Sequence, residues 1–464
     1  MEIKLSTGNY AKPSLQLPVE RLVNAYVEST PAGPSEDIRT ARPGLTKIYS
    51  FGTSPILAMY QVPGLFNGDL FTICGESVYR NNNLIGTVAF SQTPQIAAIS
   101  GKMAIVSGGG LYIYDGTTFT QQQYFDDGVS RLVPFSGVTV LYNIFIYPVV
   151  GSNQFFFSNV GEPGIINAAN ESLVQVSPDD IVQSFVLAEI VYFFKNRTTE
   201  LWQFTGNLTA PFQEIQGATY ARGCVSQGSV VKADNALFWI GDDLQVYRSS
   251  TVPERISTSF IEDRLHSETQ PQNISAFTVN VLGHIFYVIN LVGLNESWAY
   301  DCQTKTWAQW GTQQRAQEIP GIFQCSLAVG QGNFIFGGSY NDGRVFKFDT
   351  TNHTDDGVPV QVIVSGNVLT SGGYNKCFNV SLHNVRGVGT IATPNPVIKM
   401  RYSDDGRTWT TWYPASYGTI ASYRYKTTWR NLGLIRQPGR WFEFSISDAV
   451  NITVEGLSLN EPRV

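Results

Sequence analysis

Seven times between residues 45 and 350 the chain repeats one pattern. A short apolar run is followed by a polar or glycine turn, then by a second run that ends in an aromatic and often in Asp or Arg. The copies are 70–80 (LFTICGESVYR), 103–115 (MAIVSGGGLYIYD), 138–158, 190–204 (IVYFFKNRTTELWQF), 236–248 (ALFWIGDDLQVYR), 285–301 and 333–349 (NFIFGGSYNDGRVFKFD). Their starts are separated by 33, 35, 52, 46, 49 and 48 residues, close to the period of about 40 to 50 residues of a propeller blade. One hairpin cannot bury both of its faces. Radial stacking of small sheets covers them and leaves only short edges. The spacing predicts a six- to seven-bladed β-propeller over 45–350. The alternative, a long array of β-sandwiches, would space its strands at about 8 to 12 residues without the longer period.

The texture changes on both sides of this repeat. The stretch TTNHTDDGVP after Asp349 is polar and turn-rich, so 351–357 reads as a linker. From 358 to 464 the runs alternate well, as in 376–385 (KCFNVSLHNV), 397–403 (VIKMRYS), 440–447 (RWFEFSIS) and 451–459 (NITVEGLSL). They predict a small C-terminal antiparallel β-sandwich domain. Residues 397–464 hold nine basic and six acidic side chains, net +3, so residues 1–396 carry −9. A basic tail domain on an acidic body can pair with the acidic face of a neighbouring copy. The first 44 residues contain Pro13, Pro18, Pro31, Pro34 and Pro43, which hold the backbone in extended or turn forms. They read as an extended N-terminal arm, and deletion of 1–40 is expected to leave a folded monomer that fails to join its assembly. The fold class is therefore all-β: arm 1–44, propeller 45–350, linker 351–357, sandwich 358–464.

Composition narrows the function. Only 15% of the residues are charged, against about 25% in typical soluble domains. The net charge is −6, so no general basic field exists to grip phosphates or anionic lipid. Sequence-specific DNA binding is not expected. The five cysteines, Cys74, Cys224, Cys302, Cys325 and Cys377, are odd in number and lack C-x-x-C spacing; they read as reduced thiols buried in strands. The opening MEIKLSTGNYAKPS has no apolar run of a secretion signal, and the most apolar stretch, 138–150, is interrupted by Asn143 and Pro148. The expectation is synthesis in the cytoplasm and no membrane insertion. Eight N-x-S/T sequons, among them Asn196-Arg197-Thr198 and Asn451-Ile452-Thr453, reflect turn usage more than glycans.

No catalytic constellation is present: the chain has no G-x-x-x-x-G-K-S/T, G-x-S-x-G, H-E-x-x-H or G-x-G-x-x-G. The histidines His266, His284, His353 and His383 lie in unrelated segments and read as ordinary surface or strand residues. Five Asp-Asp pairs occur, at 126–127, 179–180, 242–243, 355–356 and 404–405. Three precede glycine and one follows it, which is what tight turns need, and the alternating ligand order of a calcium loop is absent. No catalytic, cofactor-binding or metal site is expected. Ser259 and Glu262 make an S-x-x-E capping box for a helix at 259–268. The sharpest motif is Ser403-Asp404-Asp405-Gly406-Arg407-Thr408-Trp409. It resembles the Asp box of sialidases and other propeller proteins, S-x-D-x-G-x-T-W, with one residue fewer between Asp and Gly, and that box is a folded hairpin remote from chemistry.

Taken in order, the segments resemble the packaged-DNA stabilisation, or tail nozzle, proteins of short-tailed bacteriophages. The likeness begins with Val23-Asn24-Ala25-Tyr26-Val27-Glu28 and Arg42-Pro43-Gly44-Leu45. It runs through Glu200-Leu201, Phe204-Thr205-Gly206, Arg222-Gly223-Cys224, the strand around Trp239, Arg255-Ile256-Ser257 and Ile261-Glu262-Asp263-Arg264-Leu265. It closes with the S-D-D-G-R-T-W hairpin, Trp429-Arg430-Asn431-Leu432-Gly433 and Arg440-Trp441-Phe442-Glu443-Phe444. At Asn431-Leu432-Gly433 the chain departs from relatives, which tend to carry another basic residue. The resemblance implies a non-enzymatic structural protein of the virion tail, a homohexamer added below the portal-adaptor (head-to-tail connector) protein. It would extend the DNA channel, help retain the packaged genome and carry the tail needle or plug, with tail fibre or spike proteins nearby. The genomic DNA would pass without sequence-specific binding. Two other readings are a receptor- or glycan-binding propeller of a phage tail, served by the 9 Trp and 22 Tyr, and a glycan hydrolase with carboxylates near the propeller axis.

Overall fold

The computed structural model describes residues 2–10, 20–29, 37–313, 320–331, 334–370 and 373–461. Each apolar repeat forms the middle of a four-stranded antiparallel meander, because a run such as Ala236–Ile240, buried at every position, must be covered on both faces. Six blades are contiguous in sequence. Their innermost strands are Ile56–Tyr60, Gln95–Ile99, Thr139–Leu141, Ile181–Leu187, Val231–Ala233 and Ser275–Val281. A seventh is composite: Cys325–Gln331, Phe334–Ser339 and Arg344–Asp349 are completed by Gly44–Ser50 from the other end of the repeat region.

A separate apolar cluster fills each gap between neighbouring blades, and together the seven clusters close the ring. Between blades three and four, Phe155 lies 4.8 Å from Phe193 and 5.5 Å from Trp202, with the Trp202 ring edge-on. Aromatic pairs of this kind contribute about 0.5–1.5 kcal/mol beyond the area they bury. The helix Ser259–Ser267 packs Ile261 and Leu265 between blades five and six. Its cap is Thr258, whose hydroxyl accepts from the Ile261 amide. The expected Ser259–Glu262 box does not form, because Glu262 is drawn to the Arg255 guanidinium and the Ser257 hydroxyl.

The second domain is a β-sandwich. One sheet contains Val362–Leu369, Val397–Ser403 and Gly439–Ile446; the other contains Asn379–Asn384, Thr428–Arg430 and Thr453–Leu459. The N-terminal region differs from an extended arm wherever it is described. Glu2–Leu5 pairs with both Val362–Leu369 and Thr453–Leu459, Leu22–Val23 with Val362–Leu369, and Asp37–Ala41 with Thr453–Leu459. The reason is apolar burial: Ile3, Leu5, Leu22, Ala25 and Val27 belong to the sandwich core. Pro13, Pro18, Pro31 and Pro34 lie outside the described residues. The expected linker is also packed. Thr354–Asp355 and Val358–Pro359 pair with each other and extend the sheet of blade seven.

Candidate functional site at the propeller axis and the domain seam

The inner strands surround a cavity of about 1180 Å³ on the propeller axis. Its lining is mixed and carries little charge: Val140, Val186 and Leu327 stand beside Gln95, Gln183 and Gln227, and the charged side chains are Lys232 and Glu268. One end is spanned from within the chain. The short turn Gln227–Ser229, between blades four and five, carries Gln227 over the start of the inner strands. Its Nε2 donates to the Ser136 carbonyl (2.7 Å) and to Gln183 Oε1 (3.4 Å), and its Oε1 accepts from the Thr93 hydroxyl (2.7 Å). The Ser226 hydroxyl donates to the Ile274 carbonyl at 2.5 Å, so the turn touches the entrances of blades two, three, four and six. A Cβ on Gly228 would come within 3.1 Å of that same carbonyl oxygen, a tight fit that favours glycine. B-DNA, whose major groove alone is about 12 Å wide, cannot enter an axis that one glutamine side chain spans.

The second feature is the seam where the sandwich, blade six and blade seven meet. The strand Leu22–Val23 bridges the sandwich to the outer strand of blade six, Thr306–Trp310, by parallel pairing. Just beyond, the fully buried Arg42 uses all of its donors. Nε reaches Asn24 Oδ1 (2.8 Å), Nη1 the Pro43 carbonyl (2.9 Å) and Asp355 Oδ1 (3.0 Å), and Nη2 the Gly311 carbonyl (2.9 Å) and Asp355 Oδ2 (2.5 Å). Its guanidinium also lies 4.5 Å over the Phe323 ring. The bidentate fork suits arginine and would not suit lysine. Gly44 is required beside it, since a Cβ there would sit 2.5 Å from the carbonyl oxygens of Asn352 and Thr354.

The acid pairs divide between turns and ion pairs. Asp127 accepts from the Val129 and Ser130 amides (both 2.8 Å). Asp405 accepts from the Arg407 and Thr408 amides and the Ser403 and Thr408 hydroxyls at 2.7–2.9 Å, so the S-D-D-G-R-T-W segment folds as a hairpin cap. These donors hold the Asp405 carboxyl well below the usual carboxylate range. Turn chemistry does not cover three others: Asp355 pairs with Arg42, Asp356 with Arg344 and Asp404 with Arg440. Asp179 joins Glu200 around the buried Lys195 ammonium at 3.1 and 2.8 Å, and the Arg197 amide with Lys195 keeps its carboxyl low despite burial.

Among the histidines, His284 is buried against Asp301 (2.8 Å) and His383 lies against Ser458 and Glu461. Burial pushes His353 down, and His266 is exposed on the helix. Four cysteines are buried and Cys302 is half-buried, all free; burial raises Cys224 and Cys302 to about 12. Among the described residues no cluster of three or more His, Cys, Asp or Glu could hold a metal ion, and no helix is long and apolar enough to cross a membrane. Sequence reasoning missed Arg42 and Lys195 as organising residues. The only signal was the R-P-G run at 42–44, whose partner lies 313 positions away.

Comparison with known proteins points one way. Residues 1–353 match the family model described as Bacteriophage P22 Gp10, beta-propeller, and residues 368–461 the one described as Bacteriophage P22 Gp10, beta-sandwich. No curated protein matches the chain significantly. Among solved structures, the computationally designed Ika8 protein aligns at 10% identity over 71% of this chain and 99% of its own, with a TM-score of 0.39. The β-propeller domain of Cps50 (Swd1) from Myceliophteria thermophila aligns at 7% over 66% and 98%, with 0.41. An exo-beta-1,3-galactanase from Phanerochaete chrysosporium aligns at 9% over 79% and 95%, with 0.28. At these levels the structural likenesses carry no functional argument. Both domains are matched, in chain order and over nearly the whole length, so the chain belongs to the bacteriophage P22 Gp10 family of tail nozzle and stabilisation proteins and is a structural protein of a phage tail.

Proposed function

We propose that six copies of this chain form the nozzle ring of a short-tailed phage, below the portal-adaptor protein. The ring extends the DNA channel, helps retain the packaged genome and carries the needle or plug, with fibres or spikes attached nearby. The observation that carries this reading is the closed propeller axis. In a tail protein of this family, DNA needs a path, and Gln227 blocks the one inside each subunit, which supports a channel between copies.

Charge supports the same reading. Six copies of a chain of net charge −6 carry −36, so phosphates meet no general cationic grip and the duplex slides during ejection. Retention is then steric, by the ring and its plug, and no catalysis is required. The chain is made in the host cytoplasm and ends in the virion tail. A salt titration of the purified protein against duplex DNA tests this: weak binding with a shallow salt slope is expected, and tight, steeply salt-dependent binding would overturn the steric account.

A further inference from the structure

We propose that adjacent copies join head to tail, the outer ribbon of one sandwich seating on the blade-three rim of the next propeller. This rests on the ring reading above. The ribbon is the short pairing of Asn375–Lys376 with Leu434–Ile435. Cys377 and Ile435 point inward and are buried. Alternation therefore turns Tyr374, Lys376 and Phe378 outward on one strand, and Leu434 and Arg436 on the other. Tyr374 is 69% exposed and Phe378 61%, and Leu369, at the end of the strand Val362–Leu369, is 62% exposed; Arg436 lies 5.9 Å over the Tyr374 ring. An exposed face of aromatic, leucine and cationic side chains has the composition of an interface core with a basic rim.

Its complement is on the same molecule, at the opposite end. Residues 95–220, which hold blades two to four, carry ten acidic and four basic side chains, a net −6 that equals the charge of the whole chain. On the rim of blade three, exposed Asp126, Asp127 and Glu171 stand among exposed Val129 and Leu173. The sandwich is rooted at blades six and seven, and in a ring of seven the blade facing that seam is the third. The ribbon follows the far end of Val362–Leu369, whose eight residues carry it roughly 25 Å from the propeller. One chain thus offers a basic apolar face at one end and an acidic apolar face at the other. Two different surfaces that fit each other make a heterologous contact, the kind that closes into a cyclic ring, and their opposite charge sets the pairing.

The test uses the full-length chain, sedimentation and particle imaging. The ribbon-reversed variant carries Lys376→Glu and Arg436→Glu; the rim-reversed variant carries Asp126→Lys and Glu171→Lys. All four side chains are exposed, so unchanged melting is expected. Each variant alone should sediment as monomer. An equimolar mixture should recover rings, because every contact in an alternating ring of even number then pairs opposite charges. If a variant melts early, Tyr374→Ser with Phe378→Ser probes the same ribbon and should also give monomers. Rings from either charge variant alone, or a mixture that stays monomeric, would overturn this docking while wild-type rings leave the conduit reading intact. Wild-type protein that forms no ring at any concentration would overturn both.

Discussion

Blades one to six close within short stretches of chain, whereas blade seven and the sandwich close only when distant segments meet. In blade two, Ile105 pairs with Tyr112, seven positions on. In blade seven, Val345 pairs with Tyr49, and in the sandwich Leu5 pairs with Gly366. Loop-closure cost rises slowly with length, so long-range closure is affordable only where specific contacts reward it. Two places supply those contacts: the apolar sandwich core and the Arg42–Asp355 seam. The six local blades need apolar stacking; the seam needs a buried, geometrically exacting charge pair.

The largest blow to this contrast is truncation. Removing residues 1–41 takes away four strands and the core side chains Ile3, Leu5, Leu22 and Val27. Calorimetry should show the sandwich transition lost, in place of the folded monomer expected of a detachable arm. Next comes the seam itself. Arg42→Ala leaves a buried carboxylate uncompensated and should cost about 3–5 kcal/mol in denaturant unfolding. The double change Arg42→Ala with Asp355→Ala should cost less than the sum of the two single changes. Equal additivity would show that the pair does not organise the seam.

A smaller effect is expected at the axis. Gln227→Ala removes hydrogen bonds to three blade entrances at about 0.5–1.5 kcal/mol each, and should speed hydrogen exchange at the Gln227–Ser229 turn without unfolding the ring. The smallest concerns acid. The Asp405 carboxyl is held low in the folded hairpin, so its contribution is present above the unfolded value of about 3.9 and is lost as pH falls through the depressed range. Asp405→Asn should lower sandwich stability slightly at pH 7 and flatten its acid limb, measured by melting from neutral pH downward, so that the difference from wild type shrinks as the pH falls.

Legibility in the sequence followed the same division. The repeat 236–248 was readable because both strands and their turn are adjacent, and Val397–Ser403 was placed to the residue by its alternation. The S-D-D-G-R-T-W cap was readable because its donors lie within five residues of each other. The prolines of the first 44 residues suggested an arm, yet Leu5 and Leu22 complete a core most of whose other members lie more than 300 residues downstream. Asp355 looked like one more turn aspartate, since nothing local distinguishes a carboxylate that caps its own turn from one that meets Arg42. Gln227 gave no signal because a glutamine in a short turn acquires its role only when three blade entrances converge on it.

Imaging of assembled tails at a resolution that traces the chain tests the central claim most directly. A sixfold ring is expected, with an open duplex-wide channel between copies and each propeller axis closed at the Gln227 turn. DNA density threading a single propeller, or tails in which this chain forms no ring around the DNA, would contradict it.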